Sequence, residues 1–317
     1  MDGLAGDRPD TARPQRAILI FVDGIGWGDE DPARNPLLSY GGELLRLGGE
    51  PTSPRPHAAS GWARGIDAQL GVPGLPQSAT GQTSLFTGRN AQARLGKHLT
   101  GFPNDVLREL LREHSLLRLA TLQGRRAAFM NAYRPLFFVL STEQQWRLSA
   151  STVANLAAGL PFFTLDDLHA GRAVYQEFTN RELRWRGFTV PEWTPVQAGV
   201  RLATAAAPYE LALYEYFQTD RAGHAADRAR SEAELAGLDA FLAALLREEA
   251  ARGPHQALVV LSSDHGNIED LTTPRHTANP VPLLAWGPGA RELVEAVERI
   301  SDVAPALLAA IRKPPAA

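Results

Sequence analysis

Six apolar residues in a row, Ala17 to Val22, sit inside "RAILIFVDGIGWGD". A run of this length with β-branched members predicts a strand buried on both faces, the habit of parallel sheets. Four later segments repeat the form: "RRAAFMNAY" (125–133), "ELALYEYFQTD" (210–220), "QALVVLSSDHG" (256–266) and "VPLLAWG" (281–287). Between them run helical patterns, "DVLRELLREHSLLRLATLQG", "SEAELAGLDAFLAALLREEAARG" and "RELVEAVERISDVAPALLAAIRK". Strands alternating with helices of this length predict an α/β fold, a doubly wound and mostly parallel sheet flanked by helices.

The rhythm breaks between residues 135 and 195, which are aromatic-rich and irregular and carry several arginines. This segment reads as a small cap inserted into a core made of 16–134 and 196–317. An ordinary stretch of loops and edge strands in the same domain is the other reading. Residues 1–15 are rich in Pro, Arg, Asp and Gly and are expected to lack fixed structure.

Composition narrows the picture. The 317 residues are 44% hydrophobic, enough for a large core. The formal net charge of −3 gives no reason to expect nucleic acid or a polybasic membrane patch. No run approaches the roughly 18 apolar residues of a membrane span, and the N-terminus lacks the apolar core of a signal peptide. A cytoplasmic enzyme without membrane partners is expected; nothing bears on oligomeric state. There is no cysteine, which removes zinc–thiolate sites, disulfides and thiol nucleophiles together.

In doubly wound sheets, ligands sit beyond the carboxyl ends of the strands. Asp23, Asp220, Asp264 and His265 all fall there. Each is weak alone: Asp23 before Gly24 reads as a turn, and Asp220 with His224 is a common i, i+4 pair that can grip an ion. His276, in "RHTANPVPLLAWG", stands just before a strand. Ser78, in "GLPQSATGQTSLFTG", falls at a helix start. A plain N-cap is one reading of it. The other is a nucleophile at the positive end of a helix, where free N–H groups favour an alkoxide and an incoming phosphate. Together, three Asp, three His and one Ser near strand ends form a set that could hold two divalent ions, with carboxylate and imidazole suited to Mn²⁺ or Zn²⁺.

The order of these residues resembles the alkaline phosphatase superfamily of metalloenzymes. Within it, the order is most similar to the branch of cofactor-independent phosphoglycerate mutase and phosphopentomutase. The match runs over about 16–100 and 200–310. The resemblance implies that Asp220, His224 and His276 bind one metal. It implies that Asp23, Asp264 and His265 bind the other, with Ser78 Oγ at that ion as nucleophile and Thr80 as the fallback. Asn267 and Glu269 would orient the ligands. Arg89, Asn90, Lys97, His98, Arg134 and Arg221 could bind phosphate oxygens; the plainer reading makes most of them solvated surface groups. The expected activity is phosphoryl transfer on a small phosphorylated metabolite, with hydrolysis of a phosphomonoester through phosphoserine placed first. An intramolecular phosphomutase is second, a phosphodiesterase or sulfatase-like activity follows, and a non-catalytic metal- or phosphate-binding module is last. The segment between nucleophile and second ligand cluster is shorter than in the mutases, and Gln82 stands where they often carry His.

Overall fold

The computed structural model describes residues 14–311. Most of the expected disordered N-terminus, residues 1–13, therefore lies outside the described residues, as do residues 312–317 of the expected core.

Seven strands form one sheet in the order β2-β3-β7-β6-β1-β5-β4. They are β1 (Ala17–Val22), β2 (Arg55–His57), β3 (Gly61–Ile66), β4 (Ala127–Phe129), β5 (Leu211–Tyr216), β6 (Leu258–Ser262) and β7 (Val281–Trp286). β1 lies between β5 and β6, parallel to both, and β4 adds parallel to β5. The pairings of β6 with β7, β7 with β3 and β3 with β2 are antiparallel. The five strands expected from apolar runs are all present. The β2–β3 hairpin is an addition, and the sheet is parallel on one side only.

Alternation along β1 splits its side chains between two cores. Ile18, Ile20 and Val22 enter one cluster, and Ala17, Leu19 and Phe21 the other. The first face is covered by α10 (Pro195–Ala206) and α12 (Arg228–Ala250), through residues such as Leu202, Leu235 and Phe241. The second face is covered by α1 (Ser78–Thr87), α3 (Asp105–His114), α4 (Leu116–Leu122), α7 (Ala150–Ala157), α13 (Ala290–Ala296) and α14 (Ile300–Ala310). Helix starts carry local reasons. Asn104 and Asp227 accept backbone N–H groups at the heads of α3 and α12. Thr194 and Gln197 form a capping box on α10, with Pro195 in its first turn.

Residues 135–195 contain α5 (Pro135–Phe138), α6 (Thr142–Gln145), α7, α8 (Leu165–His169) and α9 (Arg181–Trp185). α7 packs into the second core through Val153 and Ala154, while Phe178, Leu183 and Trp193 enter the first. The segment is thus anchored in the same cores as the sheet. The two remaining helices are α2 (Ala91–Leu95) and α11 (Gln218–Ala225). No helix of the described residues is long and apolar enough to cross a membrane.

Candidate active site

The carboxyl ends of β1, β5 and β6 are adjacent in the sheet, so the polar residues that follow them converge. Asp23 follows β1, and its amide donates to the Tyr216 carbonyl at the end of β5. Gly24 makes the next turn with φ of +71°, and a Cβ there would lie 2.8 Å from the Asp220 backbone. The turn therefore needs glycine both for its conformation and for the closeness of α11.

Asp264 and His265 follow β6 and are fully buried. Asp264 Oδ2 accepts from Gln82 Nε2 at 3.1 Å. His265 Nε2 lies 3.2 Å from Asp23 Oδ1 and 3.1 Å from Ser78 Oγ. Ser78 is the first residue of α1. The N-cap is Gln77, which makes no side-chain cap bond. Ser78 is not the capping serine of the plainer sequence reading; its hydroxyl faces the His265 ring. Thr80, the fallback nucleophile, is buried, donating to the Gln77 carbonyl and accepting from the Leu99 amide. Both contacts tie its hydroxyl to the backbone.

The second set gathers on α11 and on the loop before β7. Asp220 Oδ2 lies 3.3 Å from His224 Nε2, and Asp220 Oδ1 lies 3.6 Å from His276 Nε2. The two imidazoles face each other, Nε2 to Nε2, at 3.3 Å. His276 also stacks on His265, ring centroids 3.6 Å apart. The atoms fall into two tight groups: Asp23, Asp264 and His265, and Asp220, His265 and His276. His265 stands between both, so the ligand sets are more entwined than the sequence pattern divides them.

Two observations test whether these groups fit cations. First, the Nδ1 atoms point at backbone carbonyls: His224 at Pro274 (2.7 Å), His276 at Pro76 (2.9 Å) and His265 at Gly266 (3.4 Å). A carbonyl only accepts, so Nδ1 carries the proton and Nε2 keeps its lone pair for the site. Second, Asp23 Oδ1 is buried with no well-aligned hydrogen bond, and its one ion-pair neighbour among the described residues is His265 Nε2 at 3.2 Å. Buried carboxylates crowded together are costly unless a cation balances them. Burial raises the Asp264 carboxyl well above its usual range, and the charge of Asp23 adds to this. Burial opposes protonation of His265, yet the Asp264 and Asp23 carboxylates overcome it and raise the imidazole to about 10. Burial and then the His265 charge lower His276 to about 4. The protein alone therefore recruits a proton where a divalent ion would serve, and the residues fit such an ion.

Behind the ligands, Asn267 Nδ2 donates to Asp220 Oδ1 at 2.8 Å. Glu269 touches no ligand side chain. It accepts from the amides of Gly26 (2.8 Å) and Asn267 (2.7 Å), and from the Thr277 hydroxyl. One carboxylate thus ties together the three loops that carry Asp23, His265 and His276.

A cavity of about 510 Å³ opens beside the cluster, with Asp23, Ser78, Gln82 and Asp220 in its wall. Arg134 and Arg221 line it. Arg89, Asn90, Lys97 and His98 do not: Arg89 is exposed past the end of α1, Asn90 caps α2, Lys97 is exposed past the end of α2, and His98 contacts the Val72 carbonyl. Sequence reasoning missed Arg186, Glu182, Gln176, Tyr175, Asn131 and Glu215, all lining the cavity. Glu215 accepts from Ser151 Oγ at 2.7 Å, and burial pushes its carboxyl up to about 7. It lay within a quoted strand, and only the order of the sheet reveals its place.

Residues 196–314 match the family model of the metalloenzyme superfamily. The 2,3-bisphosphoglycerate-independent phosphoglycerate mutase of Dinoroseobacter shibae is 33% identical over 115 residues, 34% of this chain and 22% of that protein. The same-named protein of Natronomonas pharaonis is 31% identical over 131 residues, 39% of this chain and 25% of its own length. The matched part is thus a quarter or less of these relatives. Among solved structures, alkaline phosphatase from the Antarctic bacterium TAB5 superposes with a TM-score of 0.55 at 15% identity, covering 96% of this chain and 100% of that one. The PH0037 protein of Pyrococcus horikoshii gives 0.53 at 14% identity, covering 96% and 98%. At these identities the likeness is one of fold.

Proposed function

We propose that this chain, whose fold is alkaline phosphatase-like and whose C-terminal part matches the metalloenzyme superfamily, is a two-metal phosphohydrolase of phosphomonoesters that works through Ser78. The observation that carries the reading is the Ser78 hydroxyl, 3.1 Å from His265 Nε2, at the head of α1 and among two groups of cation ligands. Asp23, Asp264 and His265 would hold one Mn²⁺ or Zn²⁺, and Asp220, His224 and His276 the other. When bound, such ions lower the pKa of a coordinated hydroxyl and neutralise charge on a transferring phosphoryl group.

The protein's own groups do the rest. The amides at the head of α1 face an incoming phosphate. Gln82 donates between Asp23 and Asp264 and holds both carboxylates in place. Ser78 Oγ gives up its proton and attacks phosphorus in line. The ester P–O bond breaks, and the leaving oxygen is protonated. Water then attacks phosphoserine, phosphate departs, and Ser78 regains its proton. Phe102, Arg186 and Arg221 at the cavity rim are open to solvent, which favours water as the second acceptor. Residues 135–195 act as a partial cap whose wall meets the substrate.

A second reading, an intramolecular phosphomutase, draws on the relatives named phosphoglycerate mutase. Both are tested with the Mn²⁺-loaded chain and a set of phosphomonoesters, scoring free phosphate and isomerised ester separately. Free phosphate is expected, and Ser78→Ala is expected to cut its release by at least about a hundredfold, as nucleophile removal does in covalent catalysis. Undiminished turnover by that variant, with metal content intact, would move the nucleophile elsewhere. Isomerised ester without phosphate would favour the mutase.

A further inference from the structure

The cavity beside Ser78 is also lined by basic groups. Three guanidinium groups line it: Arg134, Arg186 and Arg221. The one carboxylate among them is Glu182, whose Oε1 accepts from Arg186 Nε at 2.9 Å and whose Oε2 lies 3.8 Å from Arg221. The other carboxylates of the lining are Asp23 and Asp220, each in a candidate ligand group, and Glu215, which feels the charge of Asp23. No described carboxylate pairs with Arg134. Among the described residues, Glu182 is thus the one carboxylate within 4.0 Å of any of these three guanidinium groups.

This wall is built, not scattered. Gln176 Nε2 donates to Glu182 Oε2 at 2.7 Å, and Gln218 Nε2 donates to Gln176 Oε1 at 2.6 Å. Gln218 opens α11, the helix of Asp220 and His224. The chain Glu182–Gln176–Gln218 thus fixes the arginine wall relative to the ligand helix. Tyr175, beside Gln176, is 5% exposed; burial raises its phenol, and the fields of Glu182, Arg134 and Arg186 all reach it. The same lining includes the apolar and aromatic side chains of Phe102, Leu148 and Phe217. The Arg221 guanidinium lies 5.0 Å over the Phe217 ring. The volume, about 510 Å³, belongs with sites that enclose drug-sized ligands rather than a three-carbon acid.

We infer that the substrate is a phosphomonoester with a ring-sized leaving group that bears a second anionic group, read by Arg134 and Arg186. Glu182 acts as a positioning residue that holds Arg186 and Arg221 in place. The inference rests on the proposed phosphoryl-transfer reading and deepens it. A leaving group of that kind stacks on the apolar part of the lining and meets planar, bidentate donors in the arginines. With the anion absent, the arginines keep their water and the site loses its grip.

The test uses the Mn²⁺-loaded full chain and two esters that differ at one place, phenyl phosphate and 4-carboxyphenyl phosphate. The carboxylate is expected to raise kcat/KM about tenfold or more, chiefly through KM, as a charge-assisted contact would. Arg134→Ala should shrink that ratio to near one, and Arg134→Lys should keep part of it. For Glu182→Gln the ratio falls through KM while kcat on the carboxylated ester is largely held. The wild-type ratio alone decides if a variant fails to fold. Equal kcat/KM for the two esters, or turnover of 3-phosphoglycerate in preference to both, overturns the inference and leaves phosphoryl transfer standing. No turnover of any phosphomonoester, with two ions bound, sinks both readings.

Discussion

At the scale of single residues, Glu215 gives the sharpest prediction. Its folded-state carboxyl titrates at about 7, against an ordinary 4.5, because it is buried and feels Asp23. The folded protein then holds a proton that the unfolded chain has lost. Stability should therefore fall as pH rises from about 4.5 to about 7 and level off above. In chelator-treated protein, Glu215→Gln should flatten that fall, seen as a smaller drop in Tm between pH 5 and pH 8. Parallel Tm profiles for the two proteins would sink the idea. The candidate ligands were legible in sequence because each ends an apolar run or sits in a distinctive order, as "SSDHGN" does. Glu215 was not, since a glutamate inside "LALYEY" looks like any strand residue until β5 is known to lie beside β1. Arg89 and Lys97 misled in the opposite sense. Closeness in sequence to Ser78 put them near the site, but α1 carries Arg89 away from it, and Lys97, although the chain returns to Thr80 two residues later, is exposed and outside the cavity lining.

Elements place these residues, and α1 is the critical one. A Cβ on Gly81 would lie 2.6 Å from the Asp264 carbonyl, so the helix runs hard against the loop after β6. Gly81→Val should push the two apart. Overpacking of this sort costs about 1–3 kcal/mol, and a shift near 1 Å at the nucleophile costs about a hundredfold in rate. Loss of turnover with retained far-ultraviolet circular dichroism is the expected result; full activity would show that the approach is not needed. Sequence pattern found the central strands because burial on both faces leaves an unbroken apolar run. It missed the β2–β3 hairpin because "RPHAASGWARGI" is polar and short, and its strand character comes from pairing with β7. The helical pattern over 105–124 proved to be two helices, broken at Ser115, which closes α3 and caps α4.

For the whole molecule, the candidate ligands come from distant parts of the chain, so a cation that joined them would bind the folded state alone. Free Mn²⁺ at about a hundred times its dissociation constant should stabilise the fold by roughly 2.7 kcal/mol. A thermal scan should show Tm a few degrees higher than with chelator, and Asp264→Asn should lose most of the gain. An unchanged Tm across a metal titration of the intact protein would speak against the centre. The arginine wall was legible in part: Arg134 and Arg221 stood out in the sequence, but Arg186, just past α9, meets them only in three dimensions. The margins of the sheet carry a consequence of another kind. β2 has three residues, Arg55, Pro56 and His57, one charged and one lacking an amide hydrogen. β4 also has three, and the chain just past it is bridged by Val174 and Phe163. Neither edge presents a long row of free amides on which another molecule could template a strand. Strand-templated aggregation would then call for the opening of the sheet's central strands β1, β5 and β6, whose ends carry the candidate ligands.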